Sequence, residues 1–198
     1  AFALVTALTL ARVPLVVLAM TGAVWHAYAP RAGLPWANLV LLIAASFTDL
    51  FDGLLARRWR VTSVFGALAD PLMDKVFYIV VFPVLTFLLA RQGKAEQVHA
   101  VLMLGFTVFY LLRDQWVSFL RALASGQADM RANWMGKLRT AISFPIGCLL
   151  YLYIGFDWPG RGLMMGVEVF GLAINLLSIY VYTSRYAPAL RNACAKSV

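Results

Sequence analysis

The feature that most restricts this chain is a recurring pattern of long apolar stretches broken by short polar ones. The stretches cover residues 13–29, 36–57, 63–89, 98–124, 136–156 and 163–182. Each is long enough, as a helix, to cross the ~30 Å hydrocarbon core of a bilayer. Backbone amides find no water there, so a spanning segment must satisfy its own hydrogen bonds, and a helix does so locally. The chain is 62% hydrophobic with a mean hydropathy of +0.78, where soluble domains are nearer to half apolar. The expected fold is therefore all-α: a polytopic membrane protein with six transmembrane helices. Residues 1–12 are mildly amphipathic and are expected to form a short N-terminal interfacial segment. This stretch lacks a signal-peptide cleavage pattern and reads as retained. No internal repeat or low-complexity linker divides the chain, so residues 1–198 read as one domain.

The net charge of +8 has two readings. Nucleic acid is the less apt, because base-binding modules are absent and the basic residues cluster between apolar stretches. Anionic headgroups and anionic substrates fit better. Six spans put both termini on one side. Thirteen Lys and Arg fall on that side or on helix ends facing it, against four (Arg31, Arg91, Lys94 and Arg161) on the other. The positive-inside rule then places both termini in the cytoplasm, in an inner membrane. Cys148 and Cys194 lie far apart, which does not support a disulfide framework.

Against this apolar background, four of the nine acidic residues sit between positions 49 and 74. A carboxylate in such surroundings is costly unless a positive group lies beside it. Asp49 and Asp52 are three apart, and Asp70 and Asp74 four apart, so each pair shares a helix face. Two such pairs facing each other would form an all-oxygen cage suited to hard divalent cations such as Mg2+ or Mn2+. Gly53, Ala56 and Gly66 leave room beside the acids, bordered by Arg57. The pairs fall at adjoining ends of consecutive spans, near one membrane face, and by the charge rule that face is cytoplasmic. Unrelated structural ion pairs are the plainer alternative.

The eight positions Asp49, Asp52, Gly53, Ala56, Arg57, Gly66, Asp70 and Asp74 resemble the signature of the CDP-alcohol phosphotransferases, membrane enzymes of phospholipid synthesis. Leu8-Thr9-Leu10-Ala11-Arg12 is similar to the Leu-Thr-x-x-Arg that opens many of them, with Thr6 where many have Asn. The resemblance implies two divalent ions held by Asp49, Asp52 and Asp70. It gives Asp74 the general-base position beside the metals. It implies donor binding by Asp52, Gly53, Ala56, Arg57 and Gly66, with CDP-diacylglycerol as the donor. It also implies a homodimer in contact with membrane lipids.

A second group of charges concerns the acceptor. Arg113 and Arg121, eight apart, return to nearly the same face of the fourth span, and Lys137 and Arg139 open the fifth. Together with Lys75, beside Asp74, they read as a pocket for a phosphate-bearing acceptor. The alternative is ordinary flanking charge, with Arg113 pairing to Asp114. Gly136-Lys137-Leu138-Arg139-Thr140 and Asp70-Pro71-Leu72-Met73-Asp74-Lys75 resemble the phosphatidylglycerophosphate synthases within the family. Arg139 stands where Lys is usual, and Arg113-Asp114 where Arg-Glu is usual. The reaction so implied transfers a phosphatidyl group to glycerol 3-phosphate with release of CMP. Inositol phosphate, phosphatidylglycerol, serine or choline as acceptor remain alternatives. A cation transporter would also use intramembrane acids, though spread through the membrane thickness.

The remaining polar residues have plainer expectations. His26 and His99 read as interfacial side chains. Trp25, Trp36, Trp134 and Trp158 fit an aromatic belt. Glu168 and Asn175 could form hydrogen bonds between helices, and Gly166 and Gly171 could aid close packing.

Overall fold

The computed structural model describes residues 2–59, 64–124 and 134–195, with side chains described except at 2–6, 8, 9, 46, 49–59, 64–74, 134–141, 192, 194 and 195. The described residues form six α-helices and one short 3-10 turn, with no strands. The helices are α1 (Phe2–Tyr28), α2 (Leu34–Trp59), α3 (Val64–Arg91), α4 (Gln97–Leu123), α5 (Trp134–Phe156) and α6 (Arg161–Ala195). Each apolar stretch thus became one helix. Three of them, Leu10–Tyr28, Lys94–Leu123 and Arg161–Arg191, are long and apolar enough to cross a membrane among the described residues. Leu34–Ala45 and Ile142–Phe156 are apolar but shorter.

Two boundaries differ from expectation. The N-terminal segment is not a separate element, because α1 runs unbroken through Pro14 from Phe2. At the other end α6 continues well past residue 182, through Arg185 and Pro188, to Ala195. Hydropathy stops at the first charges, but Ala, Leu and Arg are good helix formers and carry the helix on.

The chain groups into two units, residues 1–92 with 154–156, and residues 93–153 with 157–198. In the first, α1 packs against both α2 and α3. Val16, Ala19, Met20 and Ala23 are buried on α1, at the three- and four-residue spacing of one face. Leu42 and Ala45 are buried on α2, and Val81, Phe82, Leu85 and Leu89 on α3. Close approach of α1 and α2 depends on Gly22: a Cβ there would collide with the buried side chain of Asn38. Small residues at such crossings let helix backbones approach closely. At the ends of these helices, the Arg91 guanidinium lies 3.9 Å over the Tyr28 ring, and Trp36 meets Phe156 at 4.4 Å between centroids.

In the second unit α4 lies along α6. Val117, Leu120 and Ala124 of α4 bury against Tyr182 and Tyr186 of α6. Farther along, Gly171 admits Ile146 and Phe106, whose atoms would lie 2.5 and 2.8 Å from an added Cβ. Gly166, by contrast, faces open space. The outward side of α4 presents Phe109, Leu112, Gln115, Trp116 and Phe119, which with Ile179 line an apolar groove of about 550 Å³.

His99 corrects the expectation of an interfacial side chain: it is fully buried. Its Nδ1 meets Glu96 Oε2 at 3.0 Å and its Nε2 meets Glu168 Oε1 at 2.9 Å. A neutral imidazole has one N–H, so the trio is satisfied only as an imidazolium between carboxylates or with one carboxyl protonated. Arg161 Nε adds a 3.7 Å contact to Glu96. Glu168 therefore does join two helices, whereas Asn175 Nδ2 donates to Gly171 O within α6. His26 stays at the surface, its Nδ1 accepting the Arg31 N–H at 3.2 Å.

Candidate active site

The acid motif is carried by two helices. Asp49 and Asp52 lie in the second half of α2, and Asp70 and Asp74 in the first half of α3. Both segments are helical, so the three- and four-residue spacings put each pair on one face. Asp49 lies ten residues before the end of α2 and Asp74 ten after the start of α3. Asp52 and Asp70 lie seven and six residues from the same ends. Asp49 and Asp74 thus lie about 15 Å, and Asp52 and Asp70 about 10 Å, from those ends of their own helices. The side chains of Asp49, Asp52, Gly53, Ala56, Arg57, Gly66, Asp70 and Asp74 lie outside the described residues. Four carboxylates are the donor set a pair of hard divalent cations takes, so the residue types fit such a centre. Lys75 follows on α3 and is half-buried. Arg12, near the middle of α1, is buried at 5% exposure, on the helix that packs against both acid-bearing helices.

Of the basic cluster's other members, Arg113 and Arg121 have described side chains, both in the second unit. Arg113 is buried at 4% exposure on α4. Its Nε and Nη2 both donate to Ser178 Oγ, at 3.0 and 2.8 Å. Its contact with Asp114 is longer, 3.5 Å from Nη1 to Oδ1. The neighbouring acid is thus a minor partner, and a hydroxyl on α6 fixes the guanidinium plane. Arg121 is exposed, yet its Nη2 donates to Tyr182 Oη at 3.2 Å. The two arginines share one ring: the Arg113 Cζ lies 4.8 Å and the Arg121 Cζ 5.5 Å from the Tyr182 centroid. The expectation that residues 113 and 121 return to one face is met. Lys137 and Arg139 occupy the first turns of α5, and their side chains lie outside the described residues.

Ser178 and Tyr182 are the partners of Arg113 and Arg121 that sequence reasoning did not find. They interrupt an apolar span one turn apart, as Ser-x-x-x-Tyr, which was the signal available.

A family model described as CDP-alcohol phosphatidyltransferase matches residues 2–179 of the chain. Curated relatives carry the name CDP-diacylglycerol–glycerol-3-phosphate 3-phosphatidyltransferase. The protein from Pectobacterium atrosepticum is 28% identical over 96% of this chain and 93% of its own length. The protein from Sodalis glossinidius is 32% identical over 83% of this chain and 84% of its own. The one from Cereibacter sphaeroides is 32% identical over 68% of this chain, a match that spans 58% of that relative.

Proposed function

This chain belongs to the CDP-alcohol phosphatidyltransferase family, and on that premise we propose that it transfers a phosphatidyl group from CDP-diacylglycerol to glycerol 3-phosphate, releasing CMP. The observation that supports this most is the eight-position acid motif, carried on the consecutive helices α2 and α3. The family generally uses divalent metal ions. In this reading Asp49, Asp52 and Asp70 hold two of them, Mg2+ or Mn2+, with Asp74 beside them. When bound, such ions neutralise phosphate oxygens and stabilise the leaving group.

The protein's own groups then have separate tasks. Arg57 and the small residues Gly53, Ala56 and Gly66 receive the nucleotide end of the donor. Arg113 and Arg121, with Lys137, Arg139 and Lys75, hold the acceptor's phosphate, and a phosphate is well matched by guanidinium donors. Asp74 accepts the proton of the acceptor hydroxyl. The hydroxyl oxygen bonds to the phosphorus that bears the lipid. The bond from that phosphorus to the bridging oxygen breaks, and CMP departs with the electron pair. Six membrane crossings, an active site open to the cytoplasm and a homodimer belong to the same reading.

Purified protein given CDP-diacylglycerol, glycerol 3-phosphate and Mn2+ or Mg2+ should release CMP, and EDTA should stop it. Absence of CMP with every metal and acceptor tried would refute the reading. Replacing Arg113 with alanine separates the acceptors. A phosphate-bearing acceptor loses affinity, while serine or choline would not.

A further inference from the structure

We propose that Tyr182, with Ser178 one turn before it on α6, is a positioning residue that aims Arg113 and Arg121 at the phosphate of the acceptor. The inference rests on the acceptor reading given above. Arg113 and Arg121 are eight residues apart, so their Cα atoms stand ~12 Å apart along α4. Two cations so spaced would grip one phosphate poorly unless their side chains were drawn together. Tyr182 draws them together. Its ring is 1% exposed and carries the Arg113 guanidinium 4.8 Å and the Arg121 guanidinium 5.5 Å from its centroid. Its hydroxyl accepts from Arg121 Nη2 at 3.2 Å. The ring itself is held by parallel stacking on Tyr186, at 6.4 Å and 16°.

Ser178 does for the plane of Arg113 what Tyr182 does for its position. One hydroxyl oxygen accepts from Nε at 3.0 Å and from Nη2 at 2.8 Å. Two bonds from one edge to a single atom leave the guanidinium little freedom to rotate, so the direction of its other edge is set. An arginine side chain otherwise loses considerable rotamer freedom when it grips an anion, and a held one has less to lose. Electrostatics points the same way. Two guanidiniums brought onto one ring repel each other, and the ring face, with the Asp114 carboxylate 3.5 Å from Arg113 Nη1, offsets part of that. A phosphate dianion offsets much more. The two arginines also differ in exposure, Arg113 buried and Arg121 open, which suits an acceptor that enters from water and ends in a desolvated site.

The test is steady-state kinetics on purified Y182L, Y182F, S178A and S178T, with R113A alongside. Y182L should raise KM for glycerol 3-phosphate about tenfold. KM for CDP-diacylglycerol and kcat at saturating acceptor should stay within about twofold of wild type. Y182F keeps the ring but loses the hydroxyl, and should fall between wild type and Y182L. S178A should raise the acceptor KM, and S178T, which restores the acceptor oxygen, should bring it back. A merely structural role would move both KM values together or lower kcat alone, and either result overturns the proposal. Should Y182L fail to assemble, Y182F and S178A decide by the same split. If R113A leaves the acceptor KM unchanged, the acceptor reading itself has failed. If R113A raises it while the Tyr182 and Ser178 variants do not, only the positioning role falls.

Discussion

Single residues here are expensive, because an ionised group among apolar helices exists only with a partner or a task. That is why the four aspartates and Arg113 stand out in the sequence. What the sequence could not supply was the partner. Arg113 is followed directly by Asp114, so a local ion pair was the obvious alternative. The structure has that pair at 3.5 Å and also ties Arg113 to Ser178, sixty-five residues away, through an oxygen that is closer than the neighbouring carboxylate. His99 misled in the same way: a lone histidine near a span end looks interfacial until Glu168, sixty-nine residues on, is folded against it. At this scale Asp74 gives the sharpest prediction. Asp74→Asn keeps size and polarity but cannot take up a proton as a carboxylate does. Turnover should fall by at least about a hundredfold, in line with the loss of a general base. Binding of CDP-diacylglycerol and of Mn2+, read by isothermal calorimetry, should stay close to wild type. Loss of donor binding would make Asp74 a metal ligand first and a base second.

Helices are where hydropathy reads best and polar chemistry reads worst. All six appear where the apolar stretches lie, yet α1 starts earlier and α6 ends later than expected, since helix propensity continues where hydrophobicity stops. How the helices pair was not visible, because packing depends on small residues whose neighbours are remote. Gly22 against Asn38 and Gly171 against Ile146 and Phe106 are the close crossings. Gly171→Val should push α6 away from α4 and α5 and lower the thermal midpoint in detergent, while Gly166→Val, which faces open space, should leave it nearly unchanged. The α4–α6 pair is also pinned by His99 and Glu168, both wholly buried. His99→Leu leaves the Glu168 carboxyl without its partner, and breaking a buried pair from one side costs roughly 3–5 kcal/mol. The double variant His99→Leu/Glu168→Leu removes both polar groups and should recover much of that loss. If the double variant is no more stable than the single one, the pair is not the pin.

Topology is the property of the whole molecule on which the chemistry depends most. Six crossings would put the connections after α1, α3 and α5 on one side of the membrane and the two acid-bearing helix ends on the other. Three of the four exposed tryptophans among the described residues agree with such a belt, since Trp25, Trp36 and Trp158 lie at the first and third of those connections. Yet only three stretches reach spanning length and apolarity among the described residues, in α1, α4 and α6. The two topologies assign some residues to opposite sides. With six crossings, Ala32 and Asp157 lie outside and Thr62 and Ser125 inside. With three, Thr62 joins Ala32 outside and Asp157 moves inside. Single cysteines at these positions, in a background with Cys148 and Cys194 replaced by alanine, can be labelled in intact cells by a membrane-impermeant maleimide. We expect Ala32→Cys and Asp157→Cys to react at once, and Thr62→Cys and Ser125→Cys only after permeabilisation. The physical ground is the charge balance of thirteen basic residues against four, which sets orientation more strongly than the polarity of any one helix opposes it. The acids of α2 and α3 lower those helices' hydropathy but need not face lipid, because intramembrane charges turn toward the bundle interior or a wet cavity. Labelling of Thr62→Cys in intact cells would place the connection between the acid pairs on the outer side, out of reach of a cytoplasmic nucleotide, and the proposed reaction could not then proceed as drawn.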